Sequence, residues 1–430
     1  MRRLAAKAAW ASVFALVQVG CAVGSASSAS TDPTPIHVVD VQAAAAACNR
    51  FGFDLYARAT VRDANLALSP LSAAAALAMA AAGARGETLA QMSRVLHVDG
   101  LADAQSAFAA LLVSEEPGAV DEIAGMLREA GADQFPELAV ADRVWVQKDR
   151  RYRADFLTVL RDQYRASLGQ VDFIRVAEAA RAEINGWVTE QTRGRITELL
   201  AQGDVGAYTR IVLTNAVYFK SKWQYPFVPE ATHEEKFRTP TGAKPARMMR
   251  QVSFFRHAHL DDVQLVELPY VGDRISMIVV LPDGANGLDD AERQIGRSYD
   301  RWLAALTMRE VNLWLPQWTT RKTLALADLL KAMGMALAFK PGPSGADFSG
   351  MSDQDAFYIS AVIQQVFVDS NETGTEAAAA TAVVMGMAVS ESFPPPPRPV
   401  VFHADHPFVY IIRDRQTGAV LFLGRVVDPG

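Results

Sequence analysis

The 430-residue chain holds only two cysteines, Cys21 and Cys48, and seven histidines. That is too few thiols for a disulfide framework or a cysteine-based zinc cluster. Charge of one sign is also missing: 42 Lys and Arg stand against 48 Asp and Glu, a formal net charge of −6, so no basic face for nucleic acid is expected. No Gly-x-Ser-x-Gly elbow, phosphate-binding glycine loop or dinucleotide fingerprint occurs, and an enzyme is therefore not expected. Repeats, heptads and Gly/Ser linkers are absent between residues 40 and 390, which predicts one domain over 41–430. What the chain does have is apolar material: 50% of its residues are hydrophobic, enough for a large core and too many for a disordered chain.

The first 26 residues read as an export signal. Arg2, Arg3 and Lys7 precede the apolar run Ala8 to Val17, and Ala22-Val23-Gly24 supplies small residues for cleavage. The run is too short for a convincing membrane span. Residues 27–40 then form a flexible lead, and the expected location is secreted or periplasmic. Cys21 follows Val19-Gly20 as a lipidated cysteine would, although Gln18 stands where an aliphatic residue is usual; loss of Cys21 with the signal is the alternative. Cys48, in Ala-rich surroundings, is expected to be a small buried thiol.

Helices are predicted over Val41 to Ala57 and Pro70 to Ala82, the second capped by Ser69, opened by Pro70 and ended by Gly83. Further helical patterns lie between Ala154 and Leu200 and between Thr323 and Met335. Strands are predicted at Ile211 to Lys220, Val263 to Pro269 and Ile275 to Leu281, with a closing hairpin of Phe408 to Arg413 and Ala419 to Val427. The class is α+β. His257 and His259 share one strand face without a third ligand, so an exposed strand pair is expected in place of a metal site, and no cofactor is implied. His233-Glu234-Glu235 reads as a solvated charged turn, and His403 and His406 as structural.

Residues Asn371 to Ser392 are unusual for a loop. After Glu372-Thr373-Gly374-Thr375-Glu376 come Ala377, Ala378, Ala379 and Ala380, then Thr381-Ala382-Val383-Val384-Met385, with no charge or proline from Ala377 to Ser390. Surface loops carry polar and turn-forming residues. Taken alone, the run has the composition of a buried helix or strand. Yet it ends at the proline spacer Pro394 to Pro397 and Pro399, beyond which only 31 residues remain, too few for another domain.

At this point the chain resembles the serpin family from about residue 45 to Pro429. Asn65 to Ser72 with Gly83-Ala84 and Thr88 is similar to the family's second helix, and Thr214 to Lys220 with Trp223 and Pro226-Phe227 to its central strand and the turn after it. Ile184-Asn185, Trp187-Val188, Thr192, Ile196 and Glu267 to Tyr270 fall in the family's order. Phe402 to Phe408 and Leu421 to Val427 resemble its C-terminal signature.

The resemblance implies an inhibitory member, read as bacterial, with three β-sheets, eight to nine α-helices and an exposed reactive-centre loop over about 372–399. Its partner would be a serine protease held as a covalent complex, with a cysteine protease as a further target. The protease attacks the loop, and the freed hinge, Glu372 and Gly374 to Thr381, threads into the main sheet before deacylation. Counting from Gly374 puts the reactive bond at Ala388-Val389, with Met387 and Ser390 marking the alternatives, all suited to elastase-like or subtilisin-like enzymes. Period two puts Thr375, Ala377, Ala379, Thr381 and Val383 on one side of the inserted strand and Glu376 on the other.

The family's sheet-opening cluster is matched by Ser69, Ser72 and Asn215, but Gln364 replaces the usual histidine, so opening without a pH response is expected. Trp223 is the implied sheet-top aromatic. Acidic residues from Glu115 to Glu137 disfavour a heparin-like cofactor. The chain is expected to be a monomer liable to loop–sheet polymers. A non-inhibitory serpin acting as carrier, chaperone or structural protein is the rival reading.

Overall fold

The structure, a computed structural model, describes residues 41–61, 63–98, 108, 111, 137–353, 356–375 and 398–430. The export signal, the flexible lead, the acidic segment up to residue 136 and the loop from Glu376 to Pro397 lie outside the described residues.

Helix α1 spans Val41–Ala59 and α2 spans Pro70–Ala81. Every residue of α2 is buried, which its alanines permit because they need no polar face and leave room for neighbours. Ser69 caps it by accepting from the Ser72 amide, with Pro70 in the first turn. Gly83 serves a different purpose from the one expected: the cap residue Ala82 stays right-handed, and a Cβ on Gly83 would fall 2.1 Å from Met351. Close packing requires that glycine. Cys48 of α1 is fully buried, and burial pushes its thiol up.

The remaining helices are α3 (Gly86–Val95), α4 (Ala154–Tyr164), α5 (Phe173–Gln191), α6 (Leu288–Ala305) and α7 (Ala327–Ala332), so seven α-helices lie among the described residues. The helical reading of 154–200 ends early, because β3 (Gly169–Val171) divides it and residues beyond Thr192 leave the helix. The helical reading from Thr323 is corrected at its start, since β10 (Trp318–Ala325) runs to Ala325 with alternating burial.

A six-stranded sheet has the order β10, β11 (Ile359–Asn371), β12 (Gly374–Thr375), β4 (Ile211–Lys222), β2 (Glu137–Gln147), β3. The other strands are β1 (Leu66–Leu68), β5 (His233–Thr239), β6 (Gly242–Leu260), β7 (Val263–Pro269), β8 (Ile275–Pro282), β9 (Thr307–Pro316), β13 (Val400–His403), β14 (Phe408–Asp414) and β15 (Val420–Val426). Hydrogen bonding joins these into one nine-stranded ladder. Two of the three expected sheets are continuous because the 19-residue β6 pairs with β5 and β9 early and with β7 at its far end. Sequence reading placed a strand only around His257 and His259 and missed the length of β6, because Arg247, Arg250 and Arg256 interrupt the apolar pattern around core residues such as Met248 and Met249.

The core has two layers. One face of the six-stranded sheet meets α1, α2 and the larger sheet through Leu213, Val217, Phe219, Val362, Val366 and Val368. The other carries Val212, Ala216, Ala361 and Ile363 in one apolar cluster with Phe173, Ala180, Ile184 and Val188 of α5 and with Ile196, Leu199 and Leu200 beyond it. Fully enclosed Arg425 of β15 binds both Glu292 oxygens at 3.2 and 3.1 Å, and Tyr56 donates to the same carboxylate at 2.7 Å, tying α1, α6 and the sheet together.

Candidate functional site

Strands β4 and β11 are the centre of the six-stranded sheet, and they run parallel, with Ile359 to Phe367 beside Ile211 to Tyr218. Their outer neighbours β2 and β10 are antiparallel to them. Parallel pairing has slanted hydrogen bonds and is slightly weaker per residue than antiparallel pairing. This seam is therefore a weak join inside a strong sheet.

A row of polar side chains crosses it. Asp142, Asn215 and Gln364 are register partners on β2, β4 and β11, all on the face under α2. Gln364 accepts from the Ser69 amide at 3.1 Å and donates to the Ser69 carbonyl at 3.0 Å and to Asn215 Oδ1 at 2.6 Å. Asn215 Nδ2 donates to Ser72 Oγ and to Asp142 Oδ1, and Ser72 Oγ donates to the same carboxylate at 2.8 Å. The structure thus brings all four expected cluster residues together. It adds Asp142, which sequence reading missed; the signal was one acid inside the β-branched and aromatic run Val140 to Val146. Burial pushes the Asp142 carboxyl well above the usual carboxylate range, against the lowering effect of hydrogen bonds from Ser72 and Asn215. The row therefore holds a titratable group, so the absence of a pH response does not follow from Gln364.

At the top of the seam the strands part. There Gly374 and Thr375, as β12, lie between Ser370-Asn371 of β11 and Ser221-Lys222 of β4, antiparallel to both. Gly374 is needed because a Cβ there would stand 2.0 Å from the Ser221 carbonyl oxygen. Thr375 is fully buried and its hydroxyl shares a 2.8 Å hydrogen bond with Tyr270. Trp223 stacks on Tyr270 with centroids 4.5 Å apart and donates Nε1–H to the Asn371 carbonyl at 2.9 Å. The amides of Trp223 and Phe227 bond the carbonyls of Thr373 and Glu372. Glu372 accepts from Gln317 at 2.5 Å and has the Arg247 guanidinium 3.9 Å away. The expected hinge residues Glu376 to Thr381 and the reactive-bond residues Met387 to Ser390 lie outside the described residues.

The histidines differ in part from expectation. His257 is buried, not exposed; burial pulls its pKa down, while His259 bonds Asp283 at 2.9 Å. Among the described residues no group of three His, Cys, Asp or Glu side chains could hold a metal ion. His233 and Glu235 belong to strand β5, not a turn, and Glu235 also bonds His403 at 2.9 Å. His406 is buried between Asp405 and the Pro282 carbonyl.

Two outcomes follow from the row. A group titrating higher in the folded than in the unfolded state contributes stability that is complete below its unfolded pKa, about 4 for Asp, and is lost as pH rises through the folded value. Asp142→Asn escapes this loss, so its thermal stability relative to the unaltered protein is predicted to climb between pH 4 and pH 8; a difference that stays flat across that range refutes the role. Gln364→Ala strips partners from the Ser69 backbone and from Asn215, at about 1–3 kcal/mol per unsatisfied group. A loss of roughly 3 kcal/mol is expected, with polymers in size-exclusion chromatography after mild heating. An unchanged melting point and a persistent monomer would count against it.

Comparison with known proteins agrees with this geometry. The family model "Serpin (serine protease inhibitor)" matches residues 46–429. The leukocyte elastase inhibitor of Xenopus tropicalis is 37% identical over 393 residues, covering 89% of this chain and 98% of that protein. A serpin-like protein of Thermococcus kodakarensis is 38% identical over 386 residues, covering 89% and 85%. Among solved structures, uncleaved ovalbumin superposes with a TM-score of 0.76 at 29% identity, covering 90% and 99%. Serpin48 of the insect Tenebrio molitor does so with 0.74 at 30%, covering 92% and 100%. Frog and archaeal relatives lend no support to the expected bacterial origin. The bare expectation of no enzyme, drawn from missing motifs, is also corrected: the family match and the relatives' names define the chain by protease inhibition. The chain belongs to the serpin family, serine protease inhibitors that act on a target protease.

Proposed function

We propose that this serpin is a suicide substrate, which traps a serine protease as an acyl-enzyme by inserting its cleaved loop into the β4–β11 seam. The observation that carries the reading is the position of Gly374 and Thr375, already seated between the two strands that pair directly below them. Thr375 lies opposite Ser221 and Ser370. Continuing that register six residues along each strand puts Thr381 between Asn215 and Gln364, where its hydroxyl can take over the hydrogen bond the two lose. The same register carries Met385 to Ile211 at the seam's lower end.

Insertion replaces one parallel join by two antiparallel ones. Ordering the strand costs about 1–2 kcal/mol per residue, and net backbone hydrogen bonds return about 1 kcal/mol each. The balance is tipped by apolar burial and by loss of the weaker parallel pairing. Ala377, Ala379, Thr381 and Val383 would face Phe219, Val217, Asn215 and Leu213, where small side chains enter without overpacking.

The small residues around Ala388-Val389, together with relatives named leukocyte elastase inhibitors, favour an elastase-like or subtilisin-like target. Export through residues 1–26 is proposed as well. The mass of the mature N-terminus tests it: a chain starting at Met1 refutes export, and an acylated Cys21 marks a membrane anchor.

Incubation with elastase-like and subtilisin-like proteases is expected to give a covalent complex stable to denaturant, and the cleaved protein should melt far above the intact one. Cleavage without complex or added stability would instead favour a non-inhibitory serpin. In Ala379→Glu, the inserted carboxylate would be buried against Val217 and Val366 without a partner, costing several kcal/mol. Its loop should still be cut while complex yield drops at least about tenfold, the effect of 1.4 kcal/mol. Full trapping by this variant refutes the register.

A further inference from the structure

Near the top of the seam, four buried polar side-chain atoms have no hydrogen-bond partner among the described residues: Trp318 Nε1, Thr320 Oγ1, Ser370 Oγ and Tyr410 Oη, each on a residue 4% exposed or less. They are not scattered. Trp318 and Thr320 stand two residues apart on one face of β10, and Trp318 is the register partner of Ser370 on β11. The rings of Trp318 and Tyr410 lie 5.5 Å apart between the six-stranded sheet and β14. Thr320 and Trp318 are the polar groups that face the Tyr410 hydroxyl, near enough to lower its pKa against the raising effect of burial. Ser370 is in turn opposite Thr375 of the hinge, whose hydroxyl shares its hydrogen bond with Tyr270.

An unpaired polar atom in a protein interior is costly, and folded proteins resolve clusters of them with internal water, each molecule making about three hydrogen bonds to otherwise unpaired groups. The donor set fits one. The indole N–H of Trp318 only donates, whereas the hydroxyls of Thr320 and Tyr410 both donate and accept. A water that accepts from the indole and one hydroxyl and donates to the other hydroxyl therefore satisfies all three. Packing opposes direct closure: Tyr410 leans over Gly424, where a Cβ would stand 2.4 Å from the Tyr410 Cζ, and Trp318 is wedged edge-on against Phe408 with centroids 5.5 Å apart. Rings clamped in this way are not free to turn their polar ends toward one another.

We infer that Trp318, Thr320 and Tyr410 form an internal water site between β10 and β14, and that hydration reaching past Ser370 anchors the hinge at Thr375. The water ties β10 and β11 to the larger sheet beside the seated hinge. β11 is thereby held where Ser370 and Ser221 flank Thr375. The water site stands independently of the proposed inhibitory function; the anchoring of the hinge rests on it.

The test uses Tyr410→Phe and, as a second variant, Thr320→Val, each of which deletes hydrogen-bonding capacity with little change of shape. Where the deleted group holds a water, its loss leaves that water and its other partners short, and the melting temperature falls by about 2 °C or more. Where the group is dry, its removal relieves a buried orphan and the melting temperature rises. A high-resolution crystal structure of the unaltered protein is expected to show water density within hydrogen-bond reach of Trp318 Nε1, Thr320 Oγ1 and Tyr410 Oη. For the hinge, the probe is a synthetic peptide of residues 376–386, whose annealing into the intact protein should be about fivefold faster in both variants. Val95→Ala in α3, which loses stability away from the seam, is the control and keeps the unaltered rate. A melting temperature that holds or rises in both variants overturns the water site, as do direct bonds among the three side chains without water density. An unchanged annealing rate, or equal acceleration in Val95→Ala, overturns the anchoring of the hinge. Failure of the peptide to anneal into any of the proteins, alongside the melting loss and the density, supports the water site and sinks loop insertion, and the anchoring with it.

Discussion

The parallel join between β4 and β11 is the constraint on which the rest of the molecule depends. Both strands are buried on both faces, by α2 and the larger sheet on one side and by the cluster of α5 and the segment after it on the other. A parallel pair enclosed in this way is well packed, but it occupies a position that an antiparallel strand would fill with better hydrogen bonds. The chain carries that strand, beginning with Gly374 and Thr375 already in place. The seam is thus closed by side chains more than by backbone preference.

Those side chains form one connected network. The Ser69 backbone, Gln364, Asn215, Ser72 and Asp142 link α2 to three neighbouring strands, with few polar atoms left over. A buried polar network of this kind is costly to break partly and cheaper to exchange whole. A threonine arriving between Asn215 and Gln364 is suited to such an exchange. The carboxyl of Asp142 at the end of the row makes the network's strength depend on protonation, through a strand distant in sequence from the other members.

The upper end is held differently. Aromatic stacking of Trp223 on Tyr270, the buried Thr375 hydroxyl and the contacts of Glu372 fix the first hinge residues without sealing the route below. On the outer face α5 packs against β2, and Asn185 pins the segment after the helix through the Leu199 and Leu200 amides, so that Leu199 and Leu200 join the apolar cluster of Val212, Ala216, Ala361 and Ile363.

Sequence alone was enough for the family, for buried α2, for the central strand from Ile211 and for the four polar residues of the cluster, because these are local patterns joined to ordered motifs. It also marked the alanine run as foreign to an ordinary loop, since small side chains without charge suit a strand interior. Asp142, the length of β6 and the exposure of its outer face were decided by tertiary structure. A single acid in a short run, or a strand with arginines on one face, gives no local sign of which neighbours will stand beside it. Register is the physical reason: only when β2, β4 and β11 are laid side by side do Asp142, Asn215 and Gln364 become one row, and only then do Gly374 and Thr375 lie between β4 and β11.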